Sequence, residues 1–394
     1  MYILAWLKRR RTSDDLAGQV LFVVAVVWAG FRLARSLQIL FAESHDLYTY
    51  YSLWYVMGHW EMADIALRQS LYLPHTWVFL TPFFVFGWPV ARVVMLVANL
   101  GCVGFLWWRL SALAELRGVR KALLLVFSLA WLSTGLVIGL GNLALVCVTA
   151  VVAGFPYRTA SNHVLLAFSA MKQTLVFPVY LQLLLRKPKA LIIPFGIFAV
   201  SGVVALIWAR LTPLEAIAMA RGAVAAVGSW TQYDHTCLRR IIVLFTSNPL
   251  AISLLNWAIW FALFGACLRF LRDPLSQLAA LMLLSLLPMY HNIYDMVAAL
   301  PVLAVFLRHS GMALPALLTL GLSINVAAAL ARILPGSLRD AAQALESAYY
   351  PLLILACLAA LFYLERGSRC GESAQGGPAE RESACGEGSP RDQS

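Results

Sequence analysis

Long apolar stretches recur along almost the whole chain, with only short polar breaks between them. Of the 394 residues, 61% are hydrophobic and 12% are charged, which is too apolar for a soluble chain whose surface faces water. Such a chain needs lipid as its solvent, and apolar stretches of about 20 residues are long enough to cross a bilayer as helices. The sequence therefore predicts an all-α polytopic membrane protein.

The composition divides the chain into three parts. Residues 1–15 form a basic N-terminal segment, residues 16–365 form one membrane domain, and residues 366–394 contain no large apolar side chain. Because that tail cannot offset its ordering entropy by burial, it is predicted to be disordered and cytoplasmic. The apolar run from Leu16 to Phe41 is too long for a signal peptide, so it is interpreted as a retained first span.

The net charge of +11 is compatible with a nucleic-acid partner, but the positions of the charges argue against one. The basic residues lie in clusters directly beside apolar runs, as expected for cytoplasmic loops of a membrane protein. These clusters are Lys8 to Arg11; Arg109, Arg117, Arg120 and Lys121; Arg186, Lys187 and Lys189; Arg269 and Arg272; Arg308 and His309; and Arg366 and Arg369. Placing all of these basic clusters on the cytoplasmic side predicts a multi-pass protein of the plasma (inner) membrane. Both termini are then cytoplasmic, and the spans contact membrane lipids.

About twelve membrane segments fit this path. Three of them, 142–156, 162–172 and 174–185, are too short to cross alone and are predicted to be half-helices or re-entrant segments beside a cavity. Residues 74–88, which contain Pro74 and Pro82 and are followed by Pro89, are predicted to form a short element at the outer face. The full set is 17–40, 90–110, 121–139, 142–156, 162–172, 174–185, 190–209, 248–271, 275–289, 293–308, 312–333 and 348–364, with larger outer loops at 42–89, 210–247 and 334–347.

The first outer loop carries an acid beside a row of aromatic residues. His45 and Asp46 follow the first span, and Tyr48, Tyr51 and Tyr55 recur at helical spacing, which predicts an amphipathic interfacial helix. An aromatic belt at headgroup depth explains the tyrosines. An acid just beyond a span, beside rings that can stack on a sugar, suits a general base, and a solvated loop aspartate is the alternative for Asp46.

Further polar residues fall on the same side. Lys172 interrupts an apolar run near its centre, so it is expected to face a cavity or to lie at the turn between two half-helices. Asn142 follows two glycines that permit a close approach of backbone or ligand. For Asp295, helix capping is a sufficient alternative, and the arginines could hold lipid headgroups instead. The candidate substrate-binding residues are Arg35, His45, Asn142, Lys172, Arg239, Arg240, Tyr290, His291, Tyr294 and Asp295.

The order of several short motifs resembles glycosyltransferase family 87. These proteins are polyprenyl-phosphate-mannose-dependent mannosyltransferase-like enzymes with the multi-pass GT-C architecture. The resemblance covers most of residues 40 to 305, and its specificity lies in the order and spacing of the motifs. They are HDLYTYY, YLPHTWVFLTPF, GLGNLALVCVTAVVAG, AFSAMKQTLVFPVYLQLLLRKPK and YHNIYDMVAALP.

The resemblance implies a GT-C-like bundle in which Asp46 is the catalytic base. A hexose, most often mannose in this family, would pass from a polyprenyl-phosphate carrier to a lipid or glycan acceptor on the external face. An ionised leaving phosphate needs no general acid, but its charge must be met by cations, for which Arg35, Lys172, Arg239 and Arg240 are candidates. No glycine-rich phosphate loop for a nucleotide is present, and no cofactor is expected.

Three other hypotheses remain open. Broken helices with a lysine inside the membrane also build the substrate sites of transporters and lipid flippases, although no internal repeat is visible in the sequence. A noncatalytic glycolipid-binding relative is a second alternative. A metal-dependent enzyme using His45, Asp46, His75, His235 and His291 is the third, but no pair of these has a recognised ligand spacing, and the seven cysteines are too scattered for a thiolate site.

Overall fold

The computed structural model describes residues 13–42, 45–58, 75–218, 221, 236–289, 291–310, 312–324 and 336–375. Within these ranges every regular element is helical. In chain order the helices are α1 (Ser13–Ala42), α2 (His45–Gly58), α3 (His75–Phe84), α4 (Trp88–Leu113), α5 (Gly118–Ala130), α6 (Leu132–Leu140), α7 (Ala144–Gly154), α8 (Ala160–Ser169), α9 (Gln173–Arg186), α10 (Ile192–Ala209), α11 (Arg239–Ile242), α12 (Pro249–Phe270), α13 (Pro274–Leu284), α14 (Leu300–His309), α15 (Ala313–Ser323) and α16 (Gly336–Gln375). Short 3-10 segments cover Ala170–Lys172, Pro188–Leu191 and Ile293–Ala299.

Six helical stretches are long and apolar enough to cross a membrane, and a seventh results if α5 and α6 count as one bent span. These two helices meet at an angle of 60°. The chain is therefore an all-α polytopic membrane protein, as predicted. The number of about twelve segments stays a prediction, because α7, α13 and α15 are apolar but too short to cross a bilayer alone.

The stretch Ala160–Arg186 does not cross as one straight helix. It breaks at the 3-10 segment Ala170–Lys172, and the Tyr180 hydroxyl group donates a hydrogen bond of 3.0 Å to the Leu166 carbonyl oxygen. In a continuous helix these two residues would be about 21 Å apart, which no tyrosine side chain can span. The chain therefore reverses at Lys172, which confirms the two half-helices predicted here.

The basic clusters meet at one end of the bundle. The Arg120 guanidinium donates to the Arg308 carbonyl oxygen at 3.1 Å, and Arg308 in turn forms an ion pair of 3.4 Å with Asp273. The Glu365 carboxylate accepts a hydrogen bond of 3.0 Å from the Arg272 backbone N–H. These contacts join the ends of α5, α13 and α14 to α16, so three basic clusters from distant parts of the sequence share one end, which we term the basic end.

Helices α13 and α14 form the centre of the bundle. They pack against each other, and nearly every residue of both is buried. A helix that is apolar all round is expected to be surrounded by other helices. Asp273 and Arg308 hold one end of this pair together, and the length of α13 is about 16 Å. The chain between the two helices, with His291 and Asp295, therefore lies at the end opposite the basic end.

Helices α2 and α3 lie beside this opposite end. The helix predicted after the first span is present as α2, with Leu47, Tyr50 and Leu53 buried on one face and Tyr48 and Tyr55 exposed. The short element predicted at residues 74–88 is α3, which packs against α2, α4 and α10 and buries Trp77, Leu80 and Phe84. A helix is therefore confirmed in both places, whereas the interfacial and outer-face positions stay predictions.

The C-terminal helix differs from its prediction. Helix α16 runs through residues 336–347, which were predicted to be an outer loop, and continues to Gln375, past the predicted start of the disordered tail at residue 366. Once packing of Tyr350 and Ile354 anchors a helix, each added residue gains a hydrogen bond at little extra ordering cost. Residues 376–394 lie outside the described residues. The same holds for residues 325–333, the last part of the predicted segment 312–333.

Candidate active site

Asp46 and Asn142 form the first half of the site. Asp46 is the second residue of α2 and is partly exposed, whereas Asn142 is fully buried in the turn between α6 and α7. The Asn142 Nδ2 group donates hydrogen bonds of 2.8 Å to Asp46 Oδ2 and of 3.0 Å to the Tyr50 hydroxyl oxygen. Asn142 Oδ1 accepts the Ala144 backbone N–H at 2.8 Å. Segments nearly a hundred residues apart in the sequence are thus joined through one side-chain amide.

The Asn142 turn depends on a glycine. Gly141 ends α6 in the left-handed conformation with φ of 68°, and a Cβ atom added there would lie 2.6 Å from Leu47 Cβ. Only a residue without a side chain permits both this backbone conformation and this approach. The two predicted glycines therefore allow a close approach as expected, of α2 at Gly141 and of α1 at Gly139, and the approaching group is protein at both positions.

Lys172 lies at the break between α8 and α9. His75 Nε2 donates to the Ala170 carbonyl oxygen at 3.0 Å, and the Thr76 hydroxyl group donates to the Met171 carbonyl oxygen at 3.3 Å. Backbone groups freed by a helix break inside a membrane must find such partners, because lipid offers none. The first turn of α3 thereby stabilises the helix break, and this break places Lys172 beside the site.

Lys172, Asp295 and His291 form the second half of the site. Lys172 Nζ forms an ion pair with Asp295 Oδ1 and lies 4.6 Å from the centre of the Tyr294 ring. The Lys172 and Asp295 side chains are only 11% and 2% exposed. His291 Nδ1 lies 3.0 Å from Asp295 Oδ2, and the ring is fully buried. The predicted lysine and the predicted YHNIYD segment are therefore in direct contact.

Tyr294 connects the two halves. The Asn292 side-chain amide donates a hydrogen bond of 2.7 Å to the Tyr294 hydroxyl oxygen, and this hydroxyl group lies near the Asp46 carboxyl group. The charges of Lys172 and Asp295 also act on the Asp46 carboxyl group. Asp295 and Asn292 form a capping box at the start of the 3-10 segment, so the capping interpretation of Asp295 holds alongside its ion pair.

Other predicted site residues are not brought into this cluster. Arg35 is exposed and donates to Gln38 Oε1 at 2.7 Å within its own helix. Arg239 and Arg240 lie on α11, whose main neighbours are α12 and α16. The role of these three arginines in holding the phosphate therefore stays a prediction. Nothing is described of the His45 side chain, and Tyr290 lies outside the described residues.

The proposed metal ligands do not assemble either. Across the described ranges no three His, Cys, Asp or Glu side chains are placed to share a metal ion. His75 is engaged with the Ala170 carbonyl oxygen, and His235 lies outside these ranges. Conversely, sequence reasoning missed Tyr50, Thr76 and the role of His75, which face other segments and leave no local pattern.

A comparison of the chain with protein-family models, with curated proteins and with solved structures found no match. The resemblance to glycosyltransferase family 87 therefore rests on the order of its motifs, and the chemistry must be argued from the cluster.

We expect Gly141→Ala to destabilise the protein and to separate the two halves of the site. A left-handed alanine costs about 1–2 kcal/mol, and the contact with Leu47 adds roughly 1–3 kcal/mol. Thermal unfolding in detergent measures the loss. Gly118→Ala is the matched control, because Gly118 also has positive φ but open space around its Cβ position. Equal losses in the two variants would contradict the proposed close approach.

Proposed function

We propose that this protein is a membrane glycosyltransferase. It transfers a hexose, with mannose as the first candidate, from a polyprenyl-phosphate carrier to a lipid or glycan acceptor, and Asp46 is its general base. The observation that carries the proposal is the assembly of one partly exposed carboxylate with Asn142, Lys172, Tyr294 and Asp295 at the end of the bundle opposite the basic end.

Asp46 has the properties that a base requires. It is held by Asn142 at 2.8 Å, yet it stays partly exposed, so a hydroxyl group can reach it. In an inverting transfer the carboxylate takes the proton of the acceptor hydroxyl group while the hydroxyl oxygen bonds to the anomeric carbon. The bond between that carbon and the phosphate oxygen breaks, and its electron pair leaves with the phosphate.

Lys172 and His291 are suited to receive the leaving phosphate. One Lys172 N–H is directed to Asp295, and an ammonium group carries two more donors. His291 Nδ1 lies 3.0 Å from Asp295 Oδ2, and the buried His291 Nε2 atom has no hydrogen-bond partner among the described residues. A buried nitrogen without a partner costs free energy, which fits a group that a substrate completes. Cations near developing phosphate charge are a strong catalytic contribution.

The location of the site supports an external reaction. Because the basic end is the expected cytoplasmic end, the Asp46 cluster would face the periplasmic or external side of the plasma membrane, and both termini would be cytoplasmic. A lipid-linked donor is the form in which an activated sugar reaches that side. A transporter or flippase is the second candidate, favoured by the chain reversal at Lys172, since broken helices also form carrier sites.

Transfer by the purified protein tests the proposal. We expect label from polyprenyl-phosphate-[14C]mannose to appear in an acceptor from membrane extract, with release of one polyprenyl phosphate per sugar, and no transfer from a labelled nucleotide sugar. Mass spectrometry of lipids and glycans from a deletion strain then identifies the sugar. Movement of the intact labelled lipid across vesicles without cleavage would favour the flippase and contradict the transferase.

A further inference from the structure

We infer that Asn142 is a positioning residue for Asp46 and does not bind substrate itself. The inference rests on the proposed function and assigns Asn142 a different role from the one predicted from the sequence. It follows from the hydrogen bonds of one buried side chain and from the packing of the turn that carries it.

The orientation of the Asn142 amide is determined by its backbone partner. The Ala144 N–H can only donate, so the atom it contacts at 2.8 Å must be the Asn142 oxygen. The nitrogen then faces Asp46 and Tyr50, and it can only donate to them. An amide that donates to a carboxylate favours its ionised form, which is the form that a base requires.

Asn142 has no donor left for a substrate. Its amide nitrogen carries two hydrogens, and the Asp46 carboxylate and the Tyr50 hydroxyl oxygen accept one each. The side chain is also fully buried, so a sugar or a phosphate would have to displace Asp46 or Tyr50 to reach it. Substrate recognition through this amide would dismantle the arrangement of the proposed base.

The turn that carries Asn142 also packs against the start of α2. The Asn142 backbone N–H donates a hydrogen bond of 3.0 Å to the Val137 carbonyl oxygen in α6. Gly141 lies against Leu47, the neighbour of Asp46. The amide and the carboxylate are therefore held from two rigid helices. Preorganised geometry of this kind is worth up to about a hundredfold in rate when it is lost.

Two substitutions test the inference by enzyme kinetics. Asn142→Ala should lower kcat about 10- to 100-fold and leave KM for donor and acceptor within about threefold, because only the base is disturbed. Asn142→Asp keeps the shape but places a second carboxylate beside Asp46, next to Lys172, Asp295 and Tyr294. Two adjacent carboxylates resist joint ionisation, so the acidic limb of the rate–pH profile should move to higher pH by about one unit or more. A rise in KM with unchanged kcat would overturn the inference.

Carbodiimide labelling tests it without any transfer reaction. A hydrophobic carbodiimide modifies protonated carboxyl groups, so the labelling of Asp46 followed by peptide mass spectrometry against pH should extend to higher pH in Asn142→Asp and Asn142→Ala than in the wild type. Asn99→Ala is the matched control, a fully buried asparagine of α4 whose amide has no hydrogen-bond partner among the described residues. Unchanged Asp46 labelling would overturn the inference, whereas shifted labelling with no wild-type transfer would contradict only the proposed function.

Discussion

Asp46→Asn is expected to lower the transfer rate by about 100- to 10,000-fold, the usual contribution of a general base. The substitution keeps the size of the side chain and its place in α2, but an amide cannot take the acceptor proton. Because the loss arises in the chemical step, kcat should fall while the KM for the polyprenyl-phosphate sugar changes little. Steady-state kinetics of the purified variant, with elution on a sizing column as the folding control, give both values.

Asp273→Asn is the matched control for Asp46→Asn. Asp273 is also partly exposed and also lies at the start of a helix, where it accepts the Ser276 N–H at 2.8 Å, but it lies at the basic end of the bundle. Asparagine is as good a helix cap as aspartate, and the partly exposed ion pair with Arg308 contributes about 1 kcal/mol at most, so stability should change little. We expect near wild-type turnover. Wild-type turnover by Asp46→Asn would remove the proposed base and with it the transferase assignment.

Lys172→Met should destabilise the protein by about 3–5 kcal/mol, because it leaves the buried Asp295 carboxylate without its ammonium partner. Adding Asp295→Asn removes that buried charge, so the double variant should recover most of the loss. Transfer should stay impaired in both variants, since the double variant still lacks the Lys172 ammonium group that we propose to receive the leaving phosphate. Thermal unfolding in detergent and the transfer assay separate these two effects.

Lys121→Met provides the comparison for Lys172→Met. Lys121 lies at the basic end, with its ammonium group 4.9 Å from the centre of the Trp107 ring, and no ion pair with it is present in the described residues. A contact of this kind contributes about 0.5–1 kcal/mol, so both stability and transfer should change little.

If the Lys172 and Asp295 substitutions proved additive in stability, the ion pair between these two residues would not contribute as described.

Local features of the site were predictable where a residue broke the pattern of its own segment. A lysine in an apolar run indicated the break at Lys172, and the glycines before Asn142 indicated a close approach of the backbone. The arginines remain predictions, because charge near a boundary carries no information on which helices a side chain faces. His75 was noticed as a histidine, but its contact with the Ala170 carbonyl oxygen spans 95 residues and has no local signature.

The sequence by itself determined that the chain is helical, lies in a membrane and has its basic residues beside helix ends. This was possible because the preference of each residue for lipid or water depends on its own hydropathy and charge. It also identified Asp46 as a candidate base. Only the tertiary structure decided that Asn142 donates to Asp46 and that Lys172 pairs with Asp295, since these contacts depend on how separate helices pack. Packing also bent the chain at Lys172, where the Asp295 carboxylate compensates the lysine charge.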